Sequence, residues 1–195
     1  RAFLAALLVA LIAAALPNGP ARAAEPLADE GKPLLGAVLE WGEDTAAGFA
    51  ERLGASPAVL GHDIAFPYRP SEENDLREFL QQASLQGSHA MLTVKPTVPL
   101  DQIDAAADES FAGRVRDLTG RFKGQVLVRF APDMNTSWVD WGQQPATYRD
   151  AFRAVSAAFK ESDGGAVLVW EPYLGADYPF DRNRNAPASG SDGFA

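Results

Sequence analysis

Five short apolar runs recur along the chain, each followed by a stretch with helical periodicity or a new loop, and this alternation limits the possible folds most. The runs are GAVLEW (36–41), AVLGHDIAF (58–66), AMLTV (90–94), VLVRF (126–130) and AVLVW (166–170). They are continuous rather than alternating, as expected of strands covered on both faces. Between them the apolar spacing changes to that of a helix. Thr45 is placed to cap a helix over 46–53 that Gly54 ends. Ser71 opens a second, with Leu76, Phe79, Leu80 and Ala83 at i, i+3, i+4 and i+7, and Gly87 stops it. Phe111, Val115, Leu118 and Phe122 mark a third, and Pro145 starts a fourth whose stripe is Tyr148, Phe152, Val155 and Phe159. Gly61 is expected to break the second strand, and Lys95-Pro96 to end the third.

Strict strand–helix alternation makes a parallel sheet with right-handed crossovers. The unusual residues sit where strands end: Glu40 and Trp41, Lys95, Asp133 and Asn135, Glu171 and Tyr173. In a barrel those ends build the site. No glycine-rich phosphate loop stands at any strand-to-helix turn, which counts against an open dinucleotide-binding sheet. The expected fold class is therefore α/β, a partial (β/α)8 TIM barrel of about five of eight βα units. A complete barrel takes ~250 residues, and the chain has 195. Gly175 to Ala195 is rich in Gly, Pro, Asn, Asp and Ser and reads as a loop before a further strand. The expectation is a fragment of a longer protein, poorly soluble alone because its sheet edges are open.

The residue balance narrows the partners. Apolar residues make up 47% and charged residues 22%, as in soluble globular proteins, and the net charge is −9. Without a basic patch, nucleic acid and anionic membranes are poor partners. There is no cysteine, and the two histidines, His62 and His89, lie far apart and read as structural. Neither a metal centre nor a cofactor is expected. A monomer is expected for the full-length protein. Ala2 to Leu16 is an unbroken apolar run behind Arg1, Pro17 to Pro20 break it, and Ala21-Arg22-Ala23 is a small-x-small cleavage signal. That is the layout of a signal peptide over residues 1–23 and implies a secreted, extracellular protein. Residues 24–195 would then be the N-terminal part of one barrel domain.

The richest chemistry lies in Val126 to Pro145, VLVRFAPDMNTSWVDWGQQP. A strand leaves through Ala131-Pro132 and delivers Asp133, Met134 and Asn135, then Trp138, Asp140 and Trp141. A carboxyl can pass a proton to a glycosidic oxygen, and flat aromatic faces suit pyranose rings. Each residue also has a plainer use. Arg129 and Asp133 share parity, so both face the interior if the strand stays regular; Arg129 either tunes the carboxyls or makes a structural ion pair. Asn135 either bonds a substrate hydroxyl or caps its turn. Trp138, Trp141 and Trp170 are sugar platforms or core. Glu171 could pair with Asp133, but reads more simply as a solvated loop acid. Glu40, Trp41, Lys95 and Tyr173 are candidates for a pocket rim.

The run from Val128 to Asn135, with Trp138 and Trp141-Gly142 after it, resembles the acid/base region of glycoside hydrolase family 26, which contains β-mannanases. Gly142-Gln143-Gln144-Pro145 and Val169-Trp170 are similar to its fungal-type branch. The likeness spans about residues 36 to 182. It implies a retaining endo-hydrolase of β-mannan or a related β-linked polysaccharide, with Asp133 at the acid/base position and the nucleophile glutamate beyond Ala195. Arg129, Asn135, Trp138, Trp141 and Trp170 are the implied substrate-binding residues. Two departures stand out: aspartate replaces the family's glutamate, and Thr136 replaces a glycine. The shorter side chain draws the acid back by roughly 1.5 Å, and misplacement of that size can cost ~100-fold in rate. The rival reading is a non-catalytic carbohydrate-binding barrel that keeps the aromatic cleft.

Overall fold

The computed structural model describes residues 34–163 and 165–173. The proposed signal peptide and the tail from residue 174 lie outside the described residues. The elements follow in the order β1 (Gly36–Val38), α1 (Ala46–Leu53), β2 (Val59–Phe66), α2 (Glu73–Gln86), β3 (His89–Pro96), α3 (Ala105–Thr119), β4 (Val126–Phe130), α4 (Pro145–Glu161) and β5 (Val167–Val169). The strands form one parallel sheet in the order β1-β2-β3-β4-β5. Each crossover moves one strand along, in one direction. With right-handed crossovers this order puts every helix on the same side of the sheet, whereas a doubly wound sheet reverses its order at a switch point. The α/β, partial-barrel architecture expected from the alternation is what forms.

The core lies between sheet and helices. Leu60, Ile64 and Phe66 of β2, Leu92 and Val94 of β3, and Val126, Val128 and Phe130 of β4 are buried there. They meet Leu76, Phe79 and Leu80 of α2, Phe111 and Val115 of α3, and Tyr148, Val155 and Phe159 of α4. Phe111 links the layers, its ring centroid 5.3 Å from Phe66 and 5.6 Å from Phe159. Each such side chain contributes about 1.5–3 kcal/mol by leaving water. The other strand parity faces away from the helices. There Val38, Gly61, Met91, Leu127 and Val167 stand in one register row, and Asp63, Thr93, Arg129 and Val169 in the next. The row nearer the strand C-terminal ends is the polar one.

Several boundaries differ from expectation. β1 stops at Val38, because Leu39 to Trp41 turn away and the Trp41 N–H bonds the Leu39 carbonyl at 3.0 Å. β2 runs unbroken through Gly61, whose carbonyl accepts from Trp41 Nε1 at 2.9 Å. α2 begins at Glu73 behind a 3-10 turn over Pro70–Glu72 rather than at Ser71. α3 ends at Thr119, so Phe122 packs on the core from the following turn. Thr45 does cap α1, accepting from the Gly48 N–H at 3.1 Å, and Gly54 and Gly87 end their helices in left-handed conformation, where a side chain would be strained.

Candidate active site

The loop after β4 holds the candidate acid, and its path at that residue is set by two of the loop's three left-handed residues, the third being Gln143. Ala131 has φ 45° and Asp133 φ 56°. Such angles cost free energy outside glycine and persist only where neighbours hold them. Here they are held closely. The Ala131 N–H bonds the Val94 carbonyl at 2.9 Å, and the Asp133 N–H bonds the Glu171 carbonyl at 3.1 Å. The Asp133 carbonyl accepts from both the N–H and the hydroxyl of Thr136, at 2.9 and 2.8 Å. Trp141 Nε1 donates to the Pro132 carbonyl at 2.7 Å, and the Gln143 N–H to the Met134 carbonyl at 2.8 Å. Met134, Asn135 and Thr136 are buried beneath. Thr136, a departure from the resembled pattern, thus secures the turn. Gly142 is required by contact: a Cβ there would stand 2.0 Å from the Thr136 carbonyl oxygen.

Two bends break the regular alternation, so the shared parity of Arg129 and Asp133 does not extend past Phe130. The two residues are nevertheless neighbours, brought together through the residues after β5. Arg129 donates from Nη1 to Glu171 Oε2 at 2.7 Å, and from Nε and Nη2 to Thr93 Oγ1 at 3.2 and 2.9 Å. Glu171 is therefore an ion-pair partner, not the solvated loop acid that sequence reasoning preferred. Burial raises the pKa of Asp133 above the ordinary carboxylate value, Glu171 raises it further, and Arg129 pulls it down. Beside this group, Lys95 of β3 and Asp63 of β2 neutralise each other at 2.5 Å.

The remaining candidates divide. Asn135 is buried, and both ends of its amide are on the main chain of Tyr173: Nδ2 donates to the carbonyl and Oδ1 accepts from the N–H, each at 2.8 Å. Of its two expected uses the amide serves a structural one, tying the β4 loop to the end of β5. Trp141 is half-buried against the core and its N–H is used on Pro132, so it supports the loop rather than offering a free face. Trp138 and Trp170 are 37% and 42% exposed, and Trp138 meets Tyr173 edge to face at 5.0 Å. Trp41 packs with His62 and Phe79 on the helix side. His89 Nδ1 accepts from the Gln125 N–H at 2.9 Å, and His62 stacks on Phe79. Among the described residues no three His, Asp or Glu side chains cluster as metal ligands, and no helix is long and apolar enough to cross a membrane.

The class defined by fold and site is a barrel-type α/β chain with a partly buried carboxyl at a strand C-terminal end. Solved structures agree on the fold. The chain superposes on the YdhT protein of Bacillus subtilis with a TM-score of 0.50 at 16% identity, over 77% of this chain and 60% of that one. It superposes on the Bacillus subtilis mannanase BCman with a TM-score of 0.51 at 17% identity, over 83% and 62%. The chain spans about three-fifths of the length of each. No protein-family model matches the chain, and no curated protein sequence does.

Proposed function

We propose that the chain supplies the acid/base part of a secreted, retaining glycoside hydrolase of family 26 type, fungal-type branch, acting within β-mannan or a related β-linked polysaccharide. In this reading residues 1–23 direct export and residues 24–195 belong to one barrel domain. The observation that carries it is Asp133: a residue past the end of β4 whose main chain is held by Glu171 after β5, and whose carboxyl has raised proton affinity. A carboxyl with raised proton affinity holds its proton to higher pH and can donate it to a leaving glycosidic oxygen. In the first step the Asp133 proton passes to that oxygen while a glutamate contributed from outside this chain bonds the anomeric carbon. In the second, Asp133 takes a proton from water, whose oxygen displaces the glutamate. Trp138 and Trp170, exposed near the same strand ends, would stack sugar rings on either side.

A second reading, a carbohydrate-binding barrel without turnover, is favoured by one feature: aspartate holds the acid position with a shorter reach. Incubation of the full-length protein with manno-oligosaccharides separates the two. Cleavage with retained anomeric configuration, nearly abolished by Asp133→Ala on unactivated substrates but spared on those with an activated leaving group, supports the hydrolase. Binding without cleavage supports the second reading.

A further inference from the structure

We propose that Glu171 is the positioning residue for Asp133: it fixes the acid's place through its carbonyl and its proton affinity through its side chain. The inference rests on reading Asp133 as the proton donor. Three contacts carry it. The Glu171 carbonyl takes the Asp133 N–H at 3.1 Å, at a left-handed residue that needs an outside anchor. The Glu171 carboxylate takes Arg129 Nη1 at 2.7 Å, while Thr93 takes Nε and Nη2. Two residues further on, Tyr173 is clamped to Asn135, so the segment from Glu171 to Tyr173 is sewn to the acid's loop at both ends.

The consequence is electrostatic. An arginine next to an acid/base carboxyl favours its ionised form and would strip it of the proton it must donate. Glu171 turns that guanidinium toward β5 and cancels its charge, and its own charge repels a second anion on Asp133. Among the described residues, the charged groups that act on Asp133 are Arg129 from β4 and Glu171 from the end of β5, while Lys95 of β3 and Asp63 of β2 pair with each other. Exposed Asp140 lies further along the acid's own loop. One residue thus holds the loop and strengthens the acid's hold on its proton.

The test is a titration of the Asp133 carboxyl by carbon-13 NMR in the full-length protein, together with the pH profile of kcat/KM. Glu171→Gln keeps the shape of a side chain that is 40% exposed, so the fold is retained. Its expected effect is a fall in the Asp133 midpoint and a matching move of the alkaline limb to lower pH, because protonated Asp133 is lost earlier. Glu171→Asp, which keeps the charge, is expected to leave the midpoint closer to that of the unmodified protein than the glutamine variant does. A role in stability alone would lower the melting temperature of both variants and leave the midpoint unmoved, which overturns the proposal. Equal midpoints in the two variants also overturn it. The titration needs no turnover: a shifted midpoint in a protein that cleaves no glycan refutes the hydrolase reading and leaves the role of Glu171 in setting proton affinity standing.

Discussion

Replacing Asp108 with asparagine is expected to stabilise the protein, and only above mild acidity. Asp108 sits in the first turn of α3 on the stripe that faces the core, is 3% exposed, and its Oδ1 has no partner among the described residues. Burial, with Asp104 and Glu109 nearby, pushes its pKa from 3.8 up to about 6. The sign follows from proton counting. Between roughly pH 4 and 6 the folded chain holds a proton that the unfolded chain has lost, so this group's contribution falls as pH rises through that window and is level above it. A displacement of about two pH units corresponds to about 3 kcal/mol. The positive end of the helix, where Asp108 lies, favours an anion and reduces the penalty to about 1–2 kcal/mol. Asp108→Asn removes the charged form. The expected gain is that amount at pH 7.5, a rise in melting temperature of about 3–6 °C, and no gain below pH 4. Denaturant titrations of both proteins at the two pH values measure it. A variant no more stable at pH 7.5, or one whose advantage is the same at both, refutes the reasoning.

Gly142→Ala is expected to cost roughly 3 kcal/mol, since its Cβ would meet a main-chain oxygen of the buried Thr136 and the two strands of the loop must part; a lower urea midpoint with unchanged slope checks it. Asn135→Leu keeps the volume but removes both amide hydrogen bonds to the Tyr173 main chain, at a cost of about 1 kcal/mol each. Its specific readout is faster hydrogen exchange at the Tyr173 amide, with core amides of β3 and β4 little changed.

Much of the fold was legible because it rests on local patterns. β4 falls on its apolar run, and Thr45, Gly54, Gly87 and Pro145 mark helix ends for reasons contained in their own chemistry. The misreadings came where a partner elsewhere decides. Lys95 looked like a strand end, yet β3 continues to Pro96 because the charge is met by Asp63 on the neighbouring strand. Asp133 could be proposed from its motif, but its position could not, because a period of two does not survive the left-handed bends at Ala131 and Asp133. Glu171 was undervalued since only the register, Arg129 opposite Val169, places it beside Arg129. Asp108 did leave a signal that went unused: it lies three residues before Phe111 and seven before Val115, on the buried stripe.

The ties between the β4 loop and the residues after β5 alter what counts as an exchangeable part. A barrel is often treated as eight interchangeable strand–loop–helix modules. Here the candidate acid's loop donates one hydrogen bond to Glu171 and shares two with Tyr173, one donated and one accepted, both residues lying beyond the next strand. Grafting Val126 to Gln144 alone into a related barrel would carry the acid without its moorings. The inheritable piece is the pair of consecutive modules, ending no earlier than Tyr173, and a substitution in the fifth reaches the loop of the fourth.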